Sequence, residues 1–119
     1  MSNVSKVQSF AVPERVKATA RRGLKEREKY GRGGLSTQEA GKQGIGSGVA
    51  RASDLISGKV SLNTIKRMVS FFARQGKNYR PSQKDPDGGP TTGTIAYRLW
   101  GGQAGKAWAE SVLRSQEKS

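Results

Sequence analysis

The residues of this sequence that offer the most chemistry are its lysines and arginines, which can bind phosphates or carboxylates. Residues 13–32 contain eight cations but only three acids, so pairing between helical neighbours leaves several cations unneutralised. More cations follow in residues 66–80. From the two groups we predict a set of phosphate-binding residues: Arg15, Lys17, Arg21, Arg22, Lys25, Lys29, Arg32, Lys66, Arg67, Arg74 and Arg80.

The net charge of the whole chain indicates the same kind of partner. Its 22 Lys and Arg against 9 Asp and Glu give a formal charge of +13 over 119 residues. Such a surface attracts polyanions, and nucleic acid is the commonest of them because binding releases condensed counterions. We therefore expect DNA or another polyanion as the partner, although an acidic protein surface obeys the same electrostatics.

The residues that the sequence lacks argue against catalysis. It has no cysteine and no histidine, so thiolate nucleophiles, the commonest general base and the commonest metal ligand are missing. Glu26 and Glu28 point to different sides of a helix and so cannot act as a catalytic pair of acids. Asp85 and Asp87 are too few for a calcium loop, and we interpret them as turn residues. We predict no enzyme, no catalytic residue, no metal site and no cofactor.

No stretch of the sequence approaches the roughly 20 apolar residues that span a bilayer, and the N-terminus lacks the apolar run of a secretory signal. We expect an intracellular protein without a membrane partner.

The elements that position the cations are predicted to be helices. Pro13 followed by Glu14 is typical of a first helical turn, and glycines from Gly31 onwards would end a helix over residues 13–30. Capping residues and apolar periodicity predict further helices over residues 37–43, 47–56, 62–75, 94–100 and 103–114. The fold class is therefore all-α, a compact single domain of five or six short helices with a long Pro/Gly-rich loop at residues 77–92.

Around this helical domain, residues 13–114, we expect an extended or disordered arm at residues 1–12 and a frayed end at residues 115–119. The two tryptophans should pack close together. The predicted core comprises Val16, Leu24, Val49, Leu55, Ile65, Met68, Val69, Phe72, Ile95, Leu99, Trp100, Trp108 and Val112.

Two further features bear on nucleic-acid binding. Tyr30, Tyr79 and Tyr97 lie near cations and could stack on bases, or serve core packing or turns equally well. The aromatic residues expected in the core are Phe71, Phe72, Trp100 and Trp108. Residues 48–72 invite a helix-turn-helix interpretation. Its spacing fits poorly, because Thr64 and Arg67 stand where buried aliphatic residues belong, so ordinary helix packing is the better interpretation.

Three stretches resemble a group of small bacteriophage-encoded proteins common in cyanophage-like genomes. They are GGLSTQEAGKQGIGSGVARASDL, SLNTIKRMVSFFARQ and IAYRLWGGQAGKAWAESVL, and the resemblance spans residues 12–113, with LWGGxxGxxWA as its most specific part. A histidine would be expected after FFAR in that group, where this chain has Gln75. The resemblance implies a phage origin and a compact helical unit, and it implies no chemistry.

A basic phage protein has two natural roles, in the host cytoplasm or in the virion. The first expectation is a non-enzymatic protein that binds DNA through its backbone phosphates. The alternative is a virion structural or adaptor protein that contacts neighbouring subunits through its N-terminal arm and the loop at residues 77–92. A second alternative is an inhibitor that binds an acidic host protein.

Overall fold

The computed structural model of the chain describes residues 9–34, 47–75 and 82–117. Within these ranges it contains five helices and two short strands, which confirms the predicted helical single domain. In chain order the elements are β1 (Ser9–Ala11), α1 (Glu14–Tyr30), α2 (Gly48–Ser57), β2 (Lys59–Ser61), α3 (Leu62–Gln75), α4 (Thr92–Leu99) and α5 (Gly102–Glu117).

The ends of α1 follow the local signals in its sequence. Pro13 takes an extended conformation at the N-cap, and Glu14 lies in the first turn, where a carboxylate favours the helix dipole. Gly31 adopts a left-handed conformation with φ 67° and donates its N–H to the carbonyl of Arg27. A glycine at this position ends the helix without the strain that a Cβ atom would cause.

The other helices lie close to their predicted positions. In α2 the side chain of Ser47 accepts from the N–H of Ala50, and in α4 that of Thr91 accepts from the N–H of Thr94. The bounds of α3 are those predicted, and α5 continues to Glu117, past its predicted end at residue 114. The predicted helix over residues 37–43 lies outside the described residues.

A two-stranded antiparallel ribbon, absent from the predicted fold, joins the start of the described chain to its middle. Its register pairs Ser9 with Ser61 and Ala11 with Lys59. Each strand leads into a helix, β1 into α1 and β2 into α3, so the two helices begin at opposite ends of the ribbon. Beyond the ribbon the N–H of Val12 donates to the carbonyl of Gly58, which fixes the end of the predicted arm to the domain.

The helices pack in two groups that share α5. α1 packs mainly against α4 and α2, and α3 packs mainly against α5, which also touches α1. β2 separates α2 from α3, and those two helices have different main neighbours. The arrangement matches ordinary helix packing better than a helix-turn-helix.

Most of the predicted core is buried. The buried part includes Val16, Leu55, Ile65, Met68, Phe72, Ile95, Leu99 and Trp100, whereas Leu24, Val49, Val69, Trp108 and Val112 are half-buried. The sequence interpretation missed Val12 and Val60, because the ribbon that buries them was not foreseen.

The prediction that the two tryptophans pack together is wrong. Phe71 of α3 covers Trp100 instead, with ring centroids 4.3 Å apart and planes 4° from parallel. Among the described residues no ring contact joins Trp100 to Trp108, which lies at the half-buried border of the core. Phe71 is likewise half-buried.

Candidate nucleic-acid interface

The outer face of α1 is a broad basic surface. Val16, Ala20 and Gly23 are buried on the opposite side of this helix, which turns five cations outward. Those exposed cations are Arg15, Arg21, Arg22, Lys25 and Lys29, which we call the α1 basic face.

The spacing of this face suits an extended polyanion. Arg15, Arg22 and Lys29 are seven residues apart, so they form a line along the helix about 21 Å long. One strand of B-DNA carries about six phosphates over that length of its axis. The face can therefore reach several phosphates at once.

Local ion pairs neutralise only part of α1. Arg22 lies 3.4 Å from Glu26, and Lys17, which is half-buried at the edge of the face, lies 3.8 Å from Glu14. The side chains of Arg15, Arg21 and Lys25 make no ion pair with any described residue. Exposed Lys29 likewise has no ion pair with a described residue, so these four cations carry uncompensated charge.

Arg32, which we predicted as a phosphate contact, is paired with two carboxylates of the loop. Its guanidinium forms a bidentate pair with Asp87 at 2.9 and 3.0 Å, and Nε lies 2.9 Å from Asp85. It also donates to the carbonyl oxygen of Pro90. The hydrogen bond with Asp87 raises the pKa of Arg32 and, together with an N–H from Gly89, lowers the pKa of Asp87 to about 2.

This loop contact shows what Asp85 and Asp87 do. The side chain of Asp87 accepts from the N–H of Gly89, as expected of a turn residue. The contact with Arg32 in addition ties the loop to the end of α1. Tyr30 completes the junction. Its ring lies so close to Gly89 that there is no room for a Cβ atom at that position.

α3 carries a second basic surface. Lys66, Arg67 and Arg74 are exposed on this helix, which contains no acidic residue. We call these residues the α3 basic face. Arg80, predicted to extend it, lies outside the described residues. α3 packs mainly on α5 and α1 packs mainly on α4 and α2, so the two basic faces lie on helices with different main neighbours.

Two buried arginines were missed by the sequence interpretation. Arg98 of α4 donates to Glu26 of α1 at 2.5 Å, and their side chains are only 10% and 15% exposed. Arg51 of α2 pairs with Asp54 at 2.7 Å and lies over the ring of Trp100. The signal that could have identified Arg98 is its position as the single cation of the otherwise apolar run IAYRLW.

The buried position of Arg51 affects its pKa. Burial lowers the pKa of Arg51; nearby Asp54 opposes this shift, and the positive charge of Arg67 adds to it. Oε1 of Glu26 and Nε of Arg51 are buried and have no hydrogen-bond partner among the described residues. Arg98 joins α4 to α1, and Arg51 joins α2 to Trp100 at the end of α4. Both arginines are buried too deeply to contact a polymer.

Two of the three tyrosines considered for stacking lie among the described residues, and both have structural positions. Tyr97 is buried in the core, with its ring centroid 5.1 Å from that of Phe72. Tyr30 is half-buried at the loop junction, where Lys29 and Arg32 lie 5.2 and 5.0 Å from its ring centroid. Tyr79 lies outside the described residues.

In the part of the chain that the structure describes, no group of three or more acidic residues could hold a metal ion, and no helix is long and apolar enough to cross a membrane. Comparisons with protein-family models, curated proteins and solved structures found no match.

Proposed function

We propose that this chain is a non-enzymatic, phage-encoded protein that binds DNA mainly through the backbone phosphates. The observation that carries the proposal is the α1 basic face, where Arg15, Arg21 and Lys25 are exposed and have no carboxylate partner among the described residues. Phosphate contacts of this kind release counterions and do not require a particular base sequence.

The α3 basic face supports the same function. Its three exposed cations stand on a helix without acids, so no carboxylate on that helix competes with a phosphate. Arg32 is left out of the interface, because the carboxylates of Asp85 and Asp87 already neutralise it.

The test compares two triple variants with equal loss of charge. Arg15→Ala/Arg21→Ala/Lys25→Ala removes three of the four cations of the α1 basic face that have no ion pair with a described residue. The control Lys59→Ala/Lys84→Ala/Arg114→Ala removes three exposed cations of β2, the loop and α5. Each is titrated with fluorescent duplex DNA at several salt concentrations. For the first variant we expect weaker binding and a salt slope that is shallower by about 3, or about 1 per lost phosphate contact.

The control variant should keep a salt slope close to that of the wild type. An equal loss in both variants would mean that net charge and not the α1 basic face governs binding. Absence of wild-type binding at moderate salt would overturn the proposal and favour a role as a virion component or as a ligand of an acidic host protein.

A further inference from the structure

A stacked pair of aromatic rings lies beside the α3 basic face. Phe71 and Trp100 are parallel to within 4°, with centroids 4.3 Å apart. Trp100 is 6% exposed and is fixed by the core and by the guanidinium of Arg51, whose Cζ lies 5.3 Å from its ring centroid. Phe72 meets Phe71 edge-on at 5.3 Å. The Phe71 ring is therefore held in one orientation.

Phe71 nevertheless remains partly exposed. Trp100 covers one of its faces, so a second planar group would have to stack on the opposite face. A ring that its neighbours hold in place and that stays partly exposed is suited to stacking, because little rotamer freedom is lost when a second planar group lies on it.

Two exposed cations flank this ring on the same helix. Arg67 precedes Phe71 by four residues and Arg74 follows it by three, and residues at these spacings are neighbours on a helix surface. The positive charge of Arg67 also contributes to the lowered pKa of the buried Arg51, which lies over the Trp100 ring. Phe71 thus lies between two exposed cations, and α3 itself offers no carboxylate.

We propose that Phe71 stacks on one unpaired base of a single-stranded nucleic acid, while Arg67 and Arg74 contact the phosphates on either side of that base. The combination of a rigid aromatic ring and adjacent cations is the one used for single strands, since every base offers a planar face and every nucleotide a phosphate. The inference rests on the proposed function in taking nucleic acid as the partner, but it uses α3 and not α1.

A base is favoured over an apolar peptide as the occupant because of the charge around the ring. An apolar segment would gain nothing from Arg67 and Arg74, whereas a nucleotide satisfies the ring and both cations.

The experiment measures the contribution of the bases separately from that of the phosphates. A fluorescent oligothymidylate and an abasic oligonucleotide of the same length are titrated against the full chain by anisotropy. Wild type should bind oligothymidylate more tightly by a factor between about fivefold and about a hundredfold, as one stacked base provides. Phe71→Leu should bring that ratio close to one, because leucine keeps the apolar bulk and removes the ring.

Matched variants separate stacking from folding and from charge. Phe10→Leu makes the same change at a half-buried position of β1 that has no ring contact with Phe71 among the described residues, and it should keep the ratio. Arg67→Ala/Arg74→Ala should weaken binding of both oligonucleotides and leave the ratio unchanged. Thermal unfolding of each variant shows that the protein compared is folded.

The outcomes distinguish this inference from the proposed function. A wild-type ratio near one, or a Phe71→Leu variant that keeps the wild-type ratio, overturns the stacking site, whatever the duplex titration gives. A ratio that depends on Phe71 supports the stacking site, even if duplex DNA does not bind to the α1 basic face.

Discussion

Gly23 of α1 lies directly against the backbone of Leu99 in α4. A Cβ atom on Gly23 would come within 2.8 Å of the Leu99 nitrogen and within 3.0 Å of the carbonyl carbon of Arg98. Backbone atoms cannot move aside as a flexible side chain can, so this glycine sets the distance between the two helices. The contact also brings Arg98 to Glu26.

Gly23→Ala should therefore destabilise the protein, although alanine is the better helix former. Overpacking costs about 1–3 kcal/mol, against a helix-propensity gain of about 1 kcal/mol. Denaturant unfolding would show a net loss of about 1–2 kcal/mol. Lys25→Ala, at an exposed position of the same helix, should change stability little. A more stable Gly23→Ala variant would mean that α1 and α4 are not in such close contact.

Arg98→Met should reduce the free energy of unfolding by about 3 kcal/mol. The substitution leaves the half-buried carboxylate of Glu26 without its main partner, and breaking a buried ion pair on one side costs about 3–5 kcal/mol. Arg22→Met is the matched control, since Arg22 pairs with the same carboxylate but is 64% exposed, and exposed pairs contribute about 0–1 kcal/mol. Equal effects of the two variants would contradict the assignment of Arg98 as the main partner.

The pair formed by Arg32 and Asp87 predicts a pH dependence in the acid range. The pKa of Asp87 falls from 3.8 to about 2 in the folded protein, chiefly through its hydrogen bond with Arg32. A carboxylate with a lowered folded pKa stabilises the protein above its unfolded pKa and ceases to do so as the pH falls through the folded value.

Asp87→Asn should thus lower the melting temperature at neutral pH, and the difference from wild type should shrink between about pH 4 and pH 2. Thermal unfolding across this range measures it. Glu28→Gln, at an exposed position of α1, serves as the control for a lost carboxylate. If the Asp87→Asn difference persisted unchanged at pH 2, the contact with Arg32 would not be the cause.

Thr91→Ala should weaken α4 at its start. The Thr91 hydroxyl accepts from the N–H of Thr94 and donates to the hydroxyl of that buried residue. Loss of such a cap costs about 1 kcal/mol, measurable by denaturant unfolding. Thr92→Ala, one residue further on and exposed, makes the same chemical change without removing a cap. A loss no greater than that of the control would argue against the cap.

The features that sequence predicted well are those with local causes. A proline followed by an acid begins α1 and a left-handed glycine ends it, and capping residues together with apolar periodicity gave the bounds of α3. The outward orientation of Arg21 and Lys25 follows from the same periodicity.

The features that sequence did not reveal join residues far apart in the chain. Arg98 meets Glu26 across 72 positions, and Arg32 meets Asp87 across 55. The charge of Arg32 was visible, but the carboxylates that neutralise it come from a loop whose position only the packed helices decide. The Phe71 ring was likewise assigned to the core, because periodicity places it near the apolar side of α3 and does not tell which part stays exposed.

The ribbon between β1 and β2 has a consequence for the order of folding. Because Ser9 pairs with Ser61, the ribbon closes a ring of about fifty residues that contains α1 and α2. Closing so long a ring costs chain entropy that a single short pairing compensates poorly, so we expect α1 and α2 to lie side by side before the strands meet. The ribbon would then form late, after helices that can form from local contacts.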